Sequence, residues 1–145
     1  MIRRATEDDI PRLLAIAAYA YPEFDLRSSM EWGLRALENP DIGIWLGERT
    51  LGVSGVSAPF YAPLKKRGTM LFLASEPGAG WEPCKVLRAM IQWSRERGAD
   101  AYYFGEATGI DLSPLAKRVG AVVDRPSYTV THGQAHPRHS PEHRG

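Results

Sequence analysis

Residues 71–105 read LFLASEPGAGWEPCKVLRAMIQWSRERGADAYYFG, and this stretch decides the fold. It opens on the last four residues of TMLFLA (residues 69–74), an apolar run of strand length bounded by turn formers. From Cys84 onward Val86, Leu87, Met90, Ile91 and Trp93 recur at helical spacing, and Gly98 supplies a C-terminal stop. AYYF (residues 101–104) begins another strand. A strand that runs through a glycine-bearing loop into a helix is how a chain builds a cradle for phosphate oxygens, since the first N–H groups of the helix lack partners of their own. Trp81 and Pro83, however, stand where more glycine is expected. Pro83 suits the first helical turn, which leaves the amides of Cys84 and Lys85 to face an anion, and Lys85 adds a point charge. Glu76 and Glu82 flank the loop with the opposite sign. Two readings therefore stay open: a diphosphate site, or a strand-to-helix turn in which Gly78 and Gly80 only solve a backbone problem.

Working outward, residues 2–5 form a short strand. TEDDIPRLLAIAAYA then places Ile10, Leu13, Leu14, Ala17 and Ala18 on one helical face, with Thr6 or an early Asp as cap and Pro11 in the first turn. A second helix is predicted from Ser28, with Glu31 completing a capping box and Met30, Leu34 and Leu37 turned inward; Asn39-Pro40 ends it. IGIWLGE and LGVSGVSAP read as a hairpin about Arg49-Thr50. The loop FYAPLKKRG follows, its Lys65-Lys66-Arg67 run read as a solvated turn. Asp111 starts a short helix through Val119, and AVVDRPSYTVTH supplies one or two closing strands. The order β-α-α-β-β-β-α-β-α-β predicts an α/β (α+β) domain over residues 1–132, a mixed sheet with helices on both faces. Residues 133–145 form a separate polar tail containing three of the four histidines.

Composition narrows the function classes. The 145 residues are 43% hydrophobic and 24% charged, which suits one domain with a real core. A net charge of +1 exerts no pull toward nucleic acid or membrane, so neither is expected as a partner. One cysteine excludes an internal disulfide and a cysteine zinc knuckle. The N-terminus lacks the apolar core of a signal peptide and no apolar run has bilayer length, so the expected location is cytoplasmic. All histidines lie between His132 and His143, where Pro137 and Pro141 prevent the helix that would align them, so no metal site is expected.

Three stretches, IRRATEDDIPRLLAIA, VLRAMIQWSRERGAD and LAKRVGAVVDRPSYTV, together with the element order, resemble the GNAT family of N-acetyltransferases over residues 1–132. GEATGID is similar to a turn of the compact members encoded by phages and prophages. The resemblance implies a mostly antiparallel central sheet and acetyl-CoA as cofactor. Its pyrophosphate would sit on the pattern Gln/Arg, two residues, Gly, one residue, Gly/Ala. SEPGAG puts Gly78 and Gly80 in the glycine positions with Ser75 in place of the Arg or Gln; aligning by the helix instead puts Gly78, Trp81 and Pro83 there and destroys the motif. The implied cofactor-binding set is Leu73, Ala74, Ser75, Gly78, Ala79, Gly80, Cys84 and Lys85.

Transfer to an amine needs a base for the attacking ammonium and an acid for the departing thiolate. The family's tyrosine acid, four residues before a glycine, falls here on Ala116 before Gly120. Tyr103 or Tyr128 is left as a substitute from a strand, and Glu106, ending the fifth strand, is the candidate base. Cys84 is either a thiol with a lowered pKa near a helix N-terminus or a small packing residue. The acyl acceptor, unnamed by these residues, is expected near Tyr19, Tyr21 and Glu106. Two functions stay open: an acetyl-CoA-dependent N-acyltransferase with a degenerate loop, or a catalytically silent scaffold in an assembly such as a phage virion, with the C-terminal tail contacting a protein partner.

Overall fold

A computed structural model describes residues 1–21, 23–105, 111–123 and 130. Strand β1 (Arg3–Arg4) leads through a single 3-10 turn (Glu7–Asp9) into α1 (Ile10–Ala20) and α2 (Leu26–Glu38). Strands β2 (Ile42–Leu46), β3 (Thr50–Ser57) and β4 (Arg67–Ser75) follow, then α3 (Glu82–Glu96), β5 (Ala101–Tyr103) and α4 (Ser113–Val119). Spatial order in the sheet equals chain order; the pairs are antiparallel except β4 with β5, which is parallel across the α3 crossover. The expected mixed, mostly antiparallel sheet with helices on both faces is what the chain forms.

Alternation along the strands divides the core. Ile44, Leu46, Leu51, Val53 and Ala74 pack with Ile10, Leu13 and Ile16 of α1 and Ala36 of α2. Trp45, Val56 and Leu73 pack on the other face with Val86, Leu87, Met90 and Trp93 of α3 and Leu115 of α4. Val86, Leu87 and Met90 are fully buried while Arg88 and Arg95 are exposed, as the periodicity requires. Gly98, at φ +89°, follows the last turn.

Four expectations need correction. Ala18 is exposed, and Ile16 takes its place inside. Helix α2 starts at Leu26 because Asp25, in extended backbone, accepts the Ser28 N–H at 3.4 Å; the cap is Asp25, not a Ser28–Glu31 box. Its buried residues are Gly33 and Ala36, with Leu37 half-buried, whereas Met30 and Leu34 are exposed. Small residues win that face because α2 lies so close that a Cβ on Gly33 would already touch the Ile10 side chain at 3.4 Å. Helix α4 begins at Ser113, with the Asp111 carboxylate accepting the Ser113 N–H at 3.0 Å. Of the stretch expected to close the sheet, residues 121–123 have no regular structure, and 124–129 and 131–132 lie outside the described residues, as does the 133–145 tail.

Between the side chains of Trp45, Val56 and Leu73, helix α3 approaches the sheet at glycines. A Cβ on Gly52 would lie 2.4 Å from Val86 Cγ1 and 3.0 Å from Met90 Sδ, and one on Gly68 would lie 2.6 Å from Ser94 Cβ. Gly52→Ala is therefore expected to destabilise by overpacking, by about 1–3 kcal/mol. Met90→Ala, which empties the same contact, should cost about 2–5 kcal/mol. Chemical denaturation of the two variants checks both; near-wild-type midpoints would mean that α3 does not sit where it is described.

Candidate functional site

Strand β4 pairs with β5 only through Arg67↔Ala101, Gly68↔Tyr102 and Thr69↔Tyr103, yet it runs on to Ser75. Beyond Thr69 the two parallel strands part, and the β5-facing edge of β4 has no strand partner among the described residues. The parting coincides with an irregularity on the other edge. Val53 faces Phe72 and Ser54 faces Met70, so Leu71 is an extra residue, a bulge that bends the strand. A strand edge with unpaired N–H and C=O groups is a template for an extended, amide-containing ligand.

That edge leads into the glycine loop. Gly78 and Gly80 adopt φ of +85° and +60°, a conformation most side chains avoid. The N–H groups of Gly78, Ala79, Gly80 and Trp81 find no acceptor among the described residues, and a Cβ on Gly80 would meet no atom within 4 Å. The amides singled out in the sequence behave otherwise. Those of Cys84 and Lys85 both donate to the Trp81 carbonyl, at 3.0 and 3.2 Å, and that of Glu82 to the Ala79 carbonyl at 3.1 Å. The first turn of α3 is thus closed on itself, and the open donors lie one turn upstream. Cationic residues follow it on α3 and α4. Lys85, Arg88 and Arg118 are exposed, Arg88 donates to the Arg118 carbonyl at 3.2 Å, and the Arg118 guanidinium lies 4.0 Å over the Trp81 ring.

Both acidic residues of the loop are engaged inside the protein. Glu76 is held bidentately by Arg12, whose guanidinium also donates to the Glu48 carbonyl at 2.8 Å. Glu82 reaches across to the β2–β3 turn and accepts the N–H groups of Glu48 and Arg49, each at 2.7 Å. The Arg12 hydrogen bond holds the Glu76 carboxyl below the usual carboxylate range. Burial works against ionisation of Glu82, but the turn amides and the Thr50 hydroxyl outweigh it and lower its pKa. The β2–β3 turn, the loop and the start of α3 are therefore one hydrogen-bonded unit, and both carboxylates that would repel a phosphate are already compensated.

No protein-family model and no curated protein matches the chain. Solved structures do. A protein from Clostridium acetobutylicum described as a predicted acetyltransferase, solved with acetyl-CoA, superposes with a TM-score of 0.72 at 15% identity, covering 90% of this chain and 95% of that one. An aminoglycoside 6′-N-acetyltransferase from Acinetobacter haemolyticus gives 0.70 at 10% identity over 93% and 98% of the two chains. An integron cassette protein from the Cole Harbour Salt Marsh metagenome gives 0.74 at 18% identity over 94% and 91%. The fold is that of the GNAT acetyltransferases.

On this GNAT fold the residues singled out from the sequence scatter. Leu73 and Ala74 are buried on opposite faces of β4, so only their backbone is available to a ligand. The Ser75 hydroxyl is taken by Thr50 Oγ1 at 2.6 Å. Cys84 is buried in the α3 core, where it packs with Val86 and Leu87. Gly78, Ala79 and Gly80 are brought together as the open part of the loop, with Lys85 exposed on the following turn. Tyr103 pairs with Thr69 at the point where the strands part, its ring under the Arg67 guanidinium at 5.1 Å. Its neighbour Tyr102 is committed elsewhere: it is hydrogen-bonded to Ser54, and burial pushes its pKa up despite that bond. Glu106 and Tyr128 lie outside the described residues. Ala116, at the family's tyrosine position, is half-buried on α4.

The sequence reading missed a groove of about 620 Å³ on the other face of the sheet, between α1, α2 and the β4 bulge. Tyr21, expected near the acceptor, lines this groove, its ring tilted against Phe72 with centroids 5.1 Å apart; Tyr19, expected with it, is 60% exposed and not part of the lining. Glu23, Phe24, Asp25 and Trp32 line it without having been noticed. The available signal was the run YAYPEFD (residues 19–25), which concentrates aromatics and acids in one interhelical turn.

The two carboxylates make the site acid-sensitive. Folding lowers both pKa values, so the folded protein binds fewer protons than the unfolded chain. Their stabilisation is complete above the ordinary glutamate pKa and is lost as pH falls through the depressed folded values. Glu82→Gln, which leaves the Glu48 and Arg49 amides a neutral and poorer acceptor, is expected to cost about 1.5–3 kcal/mol at pH 7. The loss should shrink toward pH 3, as read by denaturant midpoints across that range; a loss independent of pH would refute the charged role.

Proposed function

We propose that the protein binds acyl-CoA and transfers its acyl group to an amine. The observation carrying this reading is the continuous run from the unpaired β4 edge into four open backbone amides, Gly78 to Trp81, at the approach to α3. The residues fit the cofactor. The edge of residues 70–75 offers N–H and C=O groups to the amides of a pantetheine arm. The loop amides, with Lys85 exposed on the following turn and Arg118 over the Trp81 ring, suit its phosphates, and the space beside Gly80 lets oxygens approach the backbone. Bound acetyl-CoA supplies a thioester whose carbonyl carbon is open to a nucleophile. The chain's own contribution is to hold that arm extended, to compensate Glu76 and Glu82 internally, and to present Tyr103 where β4 and β5 separate.

A second reading is favoured by Ala116 at the position of the family's acid and by the closed first turn of α3. In it the loop has kept its shape with little turnover, and the domain serves as a scaffold in an assembly, a phage particle being one such setting.

Thermal melting with acetyl-CoA tests the first step. At about a hundred times its dissociation constant the ligand adds ~2.7 kcal/mol to folding stability. We expect a corresponding rise in Tm, abolished by Gly80→Val, whose branched side chain fills the approach to the amides, and reduced by Lys85→Glu. A rise in Tm without release of thiol in the presence of primary amines would support the scaffold reading. No rise at millimolar acetyl-CoA would overturn binding itself.

A further inference from the structure

The groove between α1 and α2 has a lining of one electrostatic character. Its walls are aliphatic and aromatic, and the only formally charged residues among its described lining are Glu23 and Asp25; no lysine, arginine or histidine is present there. Asp25 is partly occupied as the α2 cap, through the Ser28 N–H. Glu23 is exposed and makes no hydrogen bond among the described residues. About 620 Å³ is within the range of small-molecule sites. Part of its wall is Leu71 and Phe72, the bulge of β4, so the groove reaches the strand where β4 is leaving β5.

We infer that this groove binds a primary amine with an apolar body and a single positive charge, its ammonium at Glu23. Apolar walls reward an aromatic or aliphatic body and penalise a second charge buried against them, since Asp25, the one other carboxylate in the lining, is engaged as the α2 cap. A polycation would have to set at least one charge against apolar walls such as Leu13, Leu14 and Leu71. The assignment of this amine as the acyl acceptor rests on the transferase reading. In that reaction the ammonium gives one proton to solvent. Its nitrogen then bonds to the thioester carbon as the carbon–sulfur bond breaks, and the second N–H proton goes to the departing thiolate.

Calorimetry on the full chain, with and without saturating CoA, tests the site using 2-phenylethylamine, the neutral 2-phenylethanol, and spermidine. The amine is expected to bind at least tenfold more tightly than either comparator. Glu23→Gln, a change at an exposed position, should bring the amine to the affinity of the alcohol and leave the alcohol unchanged. Ala17→Phe, which fills the groove, should remove both; should that variant fail to fold, the Glu23→Gln contrast decides alone. Equal binding of spermidine or of the alcohol, indifference to Glu23→Gln, or no amine binding at millimolar concentration in either state would overturn the inference. The CoA titration reports separately on the transferase reading. Amine binding without CoA binding keeps this site and removes acyl transfer; CoA binding without amine binding does the reverse.

Discussion

Helix α3 can lie where it does only because the surface beneath it lacks Cβ atoms at three of its points of contact. Gly47 lies under Glu82, Gly52 under Val86 and Met90, and Gly68 under Ser94, so residues a turn or two apart along one helical face each meet bare backbone. Strand glycines ordinarily weaken a sheet. Here they allow an approach that buries Val86, Leu87 and Met90 completely, and dispersion and apolar burial at that distance outweigh the cost. The position of the helix fixes where its N-terminus lies. That in turn fixes the glycine loop, the closeness of Glu82 to the β2–β3 turn, and the direction in which β4 must leave β5.

Charge placement follows from that seat. An acidic loop is a poor host for an anion if its carboxylates face the ligand. Arg12 and the turn amides turn both of them into internal acceptors, which leaves the open amides and the exposed cations Lys85, Arg88 and Arg118 to set the local field. The same contacts do structural work, since they join α1, the hairpin turn and the loop. Charge compensation and stability are carried by the same few hydrogen bonds.

Sequence periodicity was most informative where one face of an element is continuously buried. Val86, Leu87, Met90 and Trp93 identified α3 and its orientation because the 3.6-residue pattern is long and unbroken. It misled on much of α2, where Gly33 and Ala36 are the buried residues and Met30 and Leu34 stay outside; small residues carry no hydrophobic signal. In the loop, Gly78 and Gly80 were legible as backbone devices, and their positive φ angles agree. Which amides remain open was not legible, because it depends on whether Trp81 O closes the first turn, a matter of one carbonyl's direction. The pairing of Glu76 with Arg12 spans 64 positions and Glu82 meets residues 33 and 34 positions away, separations that no local pattern encodes. The groove escaped for the same reason: its wall is assembled from two helices and three strands that only the tertiary fold brings together.

Arg12 has one more consequence. It projects from the helix whose Ile10, Leu13, Leu14 and Ala17 line the apolar groove, and it grips Glu76 and the Glu48 carbonyl beside the glycine loop. Helix α1 is therefore a strut between two recesses on opposite sides of the sheet. A guest that shifts α1 from within the groove works against the Arg12 bonds and so against the loop they brace. Any such effect is reciprocal: a guest in the loop alters the affinity of the groove by whatever factor the groove's guest alters that of the loop. One arginine ties the wall of the first recess to the rim of the second.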